Sequence, residues 1–313
     1  MTVRLTIEHD TWSRHVRDMA HSVDGLVPVV KGNGYGFGRD VLHPIAATIA
    51  NDVCVGTVHE LDHISPGITP VVLTPTLVAP HDARPVLTVG STVHVDALRD
   101  WRGRVLVKLE SSMHRYGIAA TEFRPLCDHA ARIGLDVVGA SIHLSLAGDH
   151  TTRVDEVERW LDHLDPALPL WLSHLDAESF GRLQQRHPSR TFRLRLGTAL
   201  WHGDKAFLQL TADVIDAHPI SAGTLAGYRH VTVPTDGHVV ILGGGSANGI
   251  AALSSGASPF HFARQRLALL ELPHMHSSMC FVPTGSPLPA PGDRVDVQRP
   301  LIATTVDHIE WKR

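Results

Sequence analysis

Cysteine and aromatic residues are scarce in this chain of 313 residues, which has three cysteines, three tyrosines and only 5% aromatics. Cys54, Cys127 and Cys280 are widely spaced and odd in number, which excludes a disulfide framework and fits a reducing compartment. No apolar stretch approaches the ~20 residues that span a bilayer. Net charge is −4 with no basic block, so nucleic acid and anionic membrane are excluded as main partners. Met1–Asp24 is polar and charged throughout, without the apolar core of a signal peptide, so a cytoplasmic location is expected. Repeats and low-complexity segments are missing too. What is present is an ordinary globular composition, 43% apolar, with 23 histidines. Most of those are surface or hydrogen-bonded residues, and only positioned ones carry weight.

Short β-rich runs alternate with helical stretches from about Asp24 to Gly203, the signature of βαβ units on a parallel sheet. The strand candidates are Leu26–Val30, Val53–Thr57, Pro70–Thr74, Thr92–Val95, Val105–Leu109, Val137–Leu144, Leu170–His174 and Phe192–Leu196. Helices are expected over Gly38–Ala50, Ala119–Ile133, Thr151–Leu164 and Glu178–Arg186. Eight strands with intervening helices predict a compact (β/α)8, TIM-like barrel over residues 8–203, its third and fourth units having proline-rich, weakly helical connections. Beyond it, Leu208–Ile215, His238–Leu242, Arg266–Leu272 and Arg294–Val297 are strand-like and separated by Gly, Pro, Ser and Asn clusters. Residues 204–313, joined by an early strand at residues 1–7, are therefore expected to form an all-β domain. Trp12–Ser22 reads as a helix.

The most informative residue is Lys31, at the end of the buried-looking run Leu26-Val27-Pro28-Val29-Val30 and followed by Gly32-Asn33-Gly34-Tyr35-Gly36. A buried lysine must be neutral, paired or bonded. The glycines let backbone approach a bound group, and Tyr35 adds a hydroxyl. A Schiff-base lysine beside a phosphate cradle is what pyridoxal phosphate requires. The bland reading is a lysine snorkelling from a strand end into a glycine-rich turn.

In a barrel of this kind the site lies at the C-terminal ends of the strands. Those ends deliver Lys31 and Tyr35, then Lys108, Glu110 and Arg115, then His143, His174 and Arg195, followed by Gly197 and Thr198. Each has a structural alternative: strand-end histidines satisfied by carbonyls, a Lys108–Glu110 salt bridge, an arginine covering the mouth. Gly243-Gly244-Gly245-Ser246 fits neither dinucleotide nor P-loop spacing and reads as a turn.

These residues resemble the alanine racemase family. Val30-Lys31-Gly32-Asn33-Gly34-Tyr35-Gly36-Phe37-Gly38 is similar to its Lys-x-Asn-x-Tyr-Gly-x-Gly motif, and Lys108-Leu109-Glu110-Ser111-Ser112-Met113-His114-Arg115-Tyr116-Gly117 to its Lys-x-Asp-Thr-Gly-Met-x-Arg-x-Gly. Ile142-His143, Ser173-His174, Arg195-Leu196-Gly197, Gly227-Tyr228, Met275-His276-Ser277-Ser278-Met279 and Pro291-Gly292-Asp293-Arg294-Val295 follow in the family's order.

The resemblance implies a pyridoxal 5'-phosphate enzyme that interconverts L- and D-amino acids as a homodimer with shared sites. Lys31 would hold the cofactor and act on one face of the substrate carbon. Tyr228, from the other subunit, would act on the opposite face, activated by a hydrogen bond from His143. Tyr35, Gly197 and Thr198 would bind phosphate, with His143 and His174 beside the cofactor. Arg195 would face the pyridine nitrogen. Arg115, steadied by a Lys108 that is carbamylated in some relatives, would hydrogen-bond the cofactor's phenolic oxygen or the substrate carboxylate, and backbone donors of the second subunit's loop at Met275 would bind that carboxylate.

Several positions depart from the family. Glu110-Ser111-Ser112 replaces Asp-Thr-Gly, His276 replaces an acid, and Gly243–Gly249 lacks both tyrosines of a Gly-Tyr-x-Asp-Gly-Tyr stretch. They fall in the substrate shell and bear on which amino acid is used. Two other readings stay open: a pyridoxal-phosphate lyase or aldolase with His274, His276 and Cys280 as a metal site, and a non-catalytic cofactor-binding relative.

Overall fold

The computed structural model describes residues 2–313. Strand β1 (Val3–Glu8) runs into helix α1 (His9–Ser22). Then come β2 (Leu26–Pro28), α2 (Arg39–Ile49), β3 (Asp52–Val55), β4 (Thr69–Val72), β5 (Val86–Val89) and α3 (Thr92–Asp96). Four regular units follow: β6 (Arg104–Lys108) with α4 (Ala120–Arg132), β7 (Asp136–Ser141) with α5 (His150–Leu161), β8 (Leu170–Ser173) with α6 (Ala177–Arg186), and β9 (Phe192–Leu196) with α7 (Thr198–His202).

Strands β2 to β9 form one parallel sheet in the order β2-β9-β8-β7-β6-β5-β4-β3. A single parallel bridge, Val29 to Cys54, joins its two ends, with Val30 N–H donating to Cys54 O at 2.8 Å. The sheet is thus a nearly closed eight-stranded barrel. Its strands are short runs rich in Val and Leu and mostly buried, and Val71, Leu87, Leu106 and Leu172 have no exposed surface. Complete burial of one such side chain contributes roughly 1.5–3 kcal/mol.

Seven of the expected barrel strands are present, within a few residues at their ends. The fourth is elsewhere. Thr92–Val95 belongs to α3, because the Ser91 hydroxyl accepts from His94 N–H and caps a helix start. The strand at that point in the barrel is Val86–Val89, between Pro85 and Gly90. The connection from β4 to β5 is irregular, in line with the weak helical signal of the third unit, and that from β3 to β4 holds only a 3-10 turn, Val58–Glu60.

The C-terminal region is an antiparallel β domain. Its backbone is the 13-residue strand β10 (Leu208–Ile220), followed by the small hairpin β11 (Leu225–Ala226) and β12 (Val231–Thr232). Next are β13 (Gly237–Leu242), β14 (Phe260–Phe262), β15 (Gln265–Arg266), β16 (Ala268–Leu269), β17 (Ser278–Pro283), β18 (Arg294–Val297) and β19 (His308–Lys312). A bulge between Val214 and Asp216 bends β10, so its first half pairs with β1 and β18 and its second half with β13. Alternation along β13 and β17 sends Val240, Leu242, Cys280 and Val282 into one core, and Val239 and Phe281 into another.

Two compact units result. One gathers the chain up to Arg14, Tyr35–Gly38 and His202–Arg313, and the other His15–Gly34 and Arg39–Trp201. No helix among the described residues is long and apolar enough to cross a membrane.

Candidate active site

The lysine loop is shaped by backbone requirements. Gly34 has φ +61°, and a Cβ there would sit 2.6 Å from the Arg39 nitrogen, so only glycine closes the turn between β2 and α2. Gly34 N–H donates to Lys31 O at 3.0 Å. Glu60 accepts from Gly32 N–H at 3.2 Å and from Gly56 N–H at 2.9 Å, tying the loop to the end of β3. The Lys31 side chain stays open to solvent and makes no hydrogen bond or ion pair among the described residues. The protein around it nonetheless pushes its pKa down, first by desolvation and then through Arg115 and Arg195; Glu60 opposes this.

Lys108, at the end of β6, is 3% exposed, and its side chain has no ion pair or hydrogen bond among the described residues. Burial, then Arg195 and Arg115, hold it well below the usual lysine range. Glu110 pairs with His114 at 2.9 Å, which removes the Lys108–Glu110 salt bridge as an explanation for either residue. The unusual Glu110-Ser111-Ser112 segment is anchored elsewhere. Ser111 Oγ donates to His143 O at 2.8 Å, and Ser112 N–H and Oγ donate to Glu156 at 2.6 and 3.0 Å. Arg115 lies exposed beyond this segment, its guanidinium 4.7 Å from the Tyr116 ring centre.

His143 and His174 meet edge to face, ring centres 4.7 Å apart, with their Nε2 atoms at 3.2 Å. Ser173 Oγ lies 2.9 Å from His143 Nδ1. Burial, followed by Arg195 and Lys108, takes the His143 pKa down to about 2, so this imidazole is neutral. The His174 pKa is also lowered, by burial and then Arg153 and Arg195. His174 sits at φ +60°, in left-handed backbone unusual for a non-glycine residue and typical of strained functional loops.

Arg195 is 6% exposed. Its Nε donates to Leu172 O at 3.1 Å and Nη2 to Ile142 O at 2.5 Å, which fixes the guanidinium against β8 and the end of β7. Nη1 makes no bond among the described residues. Gly197 and Thr198 open α7, and Trp201 Nε1 donates to Val29 O at 2.7 Å, locking that helix to the lysine-bearing strand. Lys31, Lys108, Arg115, Arg195, His143 and His174 thus gather at one end of the barrel, with Glu60 the acid that acts on Lys31. This cationic rim suits a doubly charged phosphate and a carboxylate.

The remaining predicted residues lie in the other unit. Tyr35 is buried at φ +57°, its ring 5.9 Å from that of His202, whose Nε2 donates to Tyr35 O at 2.7 Å. Tyr228 is 85% exposed and Met275 65% exposed. The alternative metal site is not assembled: Cys280 is fully buried in a β-domain core, His274 is bonded to Glu271 at 2.6 Å and His276 is exposed. Among the described residues no group of three His, Cys, Asp or Glu side chains is placed to hold a metal. Glu60, Glu156 and Glu271 are participants that sequence reasoning missed. Each acts on backbone or side chains far away in the chain, and no local pattern marks them.

Comparison with known proteins agrees with this architecture. No curated protein matches the sequence. Among solved structures, the chain is similar to the alanine racemase of Bartonella henselae, described with covalently bound pyridoxal phosphate, at 17% identity and a TM-score of 0.74 over 99% of each chain. It resembles the Clostridium difficile 630 enzyme at 14% identity and a TM-score of 0.74, over 100% of this chain and 96% of that one. The E. faecalis alanine racemase is 18% identical with a TM-score of 0.70, over 99% and 98% of the two chains. At these identities the likeness is one of fold. The family model for the alanine racemase N-terminal domain matches residues 8–204, nearly two thirds of the sequence, and the chain belongs to the alanine racemase family.

Proposed function

We propose that this protein is a pyridoxal-phosphate-dependent amino-acid racemase that works as a homodimer. The observation carrying this reading is Lys31, an accessible amine of lowered pKa on a cationic barrel rim. A lysine in that state is more often neutral and so a better nucleophile and base than an ordinary one. The donor set fits the cofactor: an amine for the aldehyde carbon, cationic side chains for phosphate, and a fixed guanidinium with Nη1 left over for a ring nitrogen. Tyr35 and the backbone at Gly197 and Thr198 would bind its phosphate.

When bound, pyridoxal 5'-phosphate withdraws electrons from the substrate Cα and so acidifies its proton. Lys31 Nζ takes or returns that proton on one face, and Tyr228 Oη of a second copy does so on the other. Two bases are required because one must deprotonate while its opposite reprotonates. Arg195 keeps its own proton and does not supply one to the ring, which favours simple proton movement over transamination. Arg115 and, from the second copy, the backbone at Met275 would hold the substrate carboxylate. Leu225, Tyr228, Leu272 and Met275 are exposed apolar residues of neighbouring β-domain segments, as expected of a surface that a second copy covers.

Incubation with a panel of L-amino acids followed by chiral separation tests the reading. The expected result is formation of the D-enantiomer of at least one of them, lost in Lys31→Ala. Decarboxylated or cleaved products in place of D-amino acids would favour the lyase reading.

A further inference from the structure

We propose that Glu271 and His274 are a positioning pair that fixes the Tyr228 ring for proton transfer, an inference that rests on the racemase reading. Tyr228 is 85% exposed, and an exposed side chain on a turn ordinarily samples several rotamers. Here the turn is held from beneath. Tyr228 N–H donates to Glu271 Oε1 at 2.9 Å, and Arg229 N–H to Oε2 at 3.2 Å. Gly227 sits at φ +75°, and a Cβ on it would overlap Glu271 Oε1, so glycine is required for the carboxylate to come this close.

The same carboxylate orients the imidazole. Nε2 of His274 lies 2.6 Å from Glu271 Oε1, and its ring centre is 4.4 Å from that of Tyr228 at 50°. His274 is itself fixed, donating its N–H to Ser277 O and accepting from Ser246 N–H, both at 2.8 Å. One side chain therefore touches both the buried acid and the phenol ring. The Glu271 side chain is 3% exposed. Burial disfavours its charge, but the His274 bond and the two backbone amides outweigh this and hold its pKa below the ordinary carboxylate range. Charge-assisted bonds of this kind are the stronger and more directional ones. A turn carrying a proton-transfer group gains from such restraint, because small displacements of that group are costly in rate.

The test uses the holoenzyme labelled with 3-fluorotyrosine. The chain has three tyrosines, so three 19F resonances are expected, and Tyr228→Phe assigns one of them. In His274→Ala the Tyr228 resonance should move and narrow toward that of the free amino acid, while the Tyr35 and Tyr116 resonances stay in place. Cα–H exchange in D2O should fall about tenfold for the enantiomer that Tyr228→Phe suppresses, and change by less than about twofold for the other. Glu271→Gln should act in the same direction through lost amide contacts. An unmoved Tyr228 resonance in both variants, or equal loss of exchange for both enantiomers, overturns the positioning role. If Tyr228→Phe itself lowers exchange equally for both enantiomers, the assignment of Tyr228 as a face-specific base fails, and the resonance shift still reports whether the pair orders the ring.

Discussion

On the racemase reading, the barrel rim and the Tyr228 turn would prepare a side chain for proton transfer by different means. At the rim, Lys31 is tuned by neighbouring cations and by desolvation, on a backbone locked through Glu60 and Trp201. At the turn, Tyr228 stands in solvent, and control comes from a single buried carboxylate and the imidazole it holds. A basic group needs its charge suppressed, which many cations in a recess achieve. A phenol that serves another copy of the chain, as proposed for Tyr228, would need its direction set, and one well-bonded acid is placed to do that.

The largest effect that sharpens this contrast is expected from Lys31→Ala. It should abolish the visible absorbance of the bound cofactor and lower racemisation by roughly a thousandfold or more. An unchanged spectrum breaks the assignment of the rim as the cofactor site. Tyr228→Phe comes next, with a loss of roughly a hundredfold in Cα exchange confined to one enantiomer and the cofactor spectrum retained. Deuterium-exchange rates measured separately for the two enantiomers check this. In the barrel itself, Leu106→Ala removes a fully buried side chain and should cost about 2–5 kcal/mol in urea unfolding. A cost below about 1 kcal/mol would show the barrel to be softer than its packing indicates.

A smaller effect concerns acid. His143 titrates at about 2 in the folded protein against an ordinary 6.5. Between those values the unfolded chain binds a proton that the folded one refuses, so stability is full above pH 6.5 and falls as pH drops below it. The slope from one such group is at most about 1.4 kcal/mol per pH unit. His143→Asn should flatten the decline measured by thermal melts between pH 6.5 and 4.5, and an identical decline would place the acid sensitivity elsewhere. The smallest expected effect is that of a chelator, which should leave racemisation unchanged. Lost activity would revive a metal-assisted lyase.

Much of the barrel was legible because strands buried on both faces are written as short branched runs between glycines and prolines. The failure at Thr92–Val95 has a local cause: its valines read as strand, while one hydroxyl at Ser91 decides for helix. Strand β17 was hidden because its opening residues Ser278 and Met279 double as part of a loop motif. At the site, Lys31, Lys108, His143, His174 and Arg195 were legible as charged or imidazole groups at strand ends. Glu60 and Glu271 were not, since their bonds reach backbone 28 and 43 residues away and leave no periodic trace. The edge-to-face meeting of His174 and His143, likewise, depends on a left-handed residue that no residue type announces.

The seam where the parallel sheet closes through the bridge from Val29 to Cys54 has a practical consequence. The Cys54 thiol is wholly buried there, its pKa pushed up to about 12 by desolvation. An alkylating reagent therefore meets it only when β2 and β3 part, whereas the half-buried Cys127 is reached without that event. Slow alkylation of Cys54 thus times the breathing of the joint beneath the reactive amine, and anything that anchors Lys31 from above should lengthen that clock.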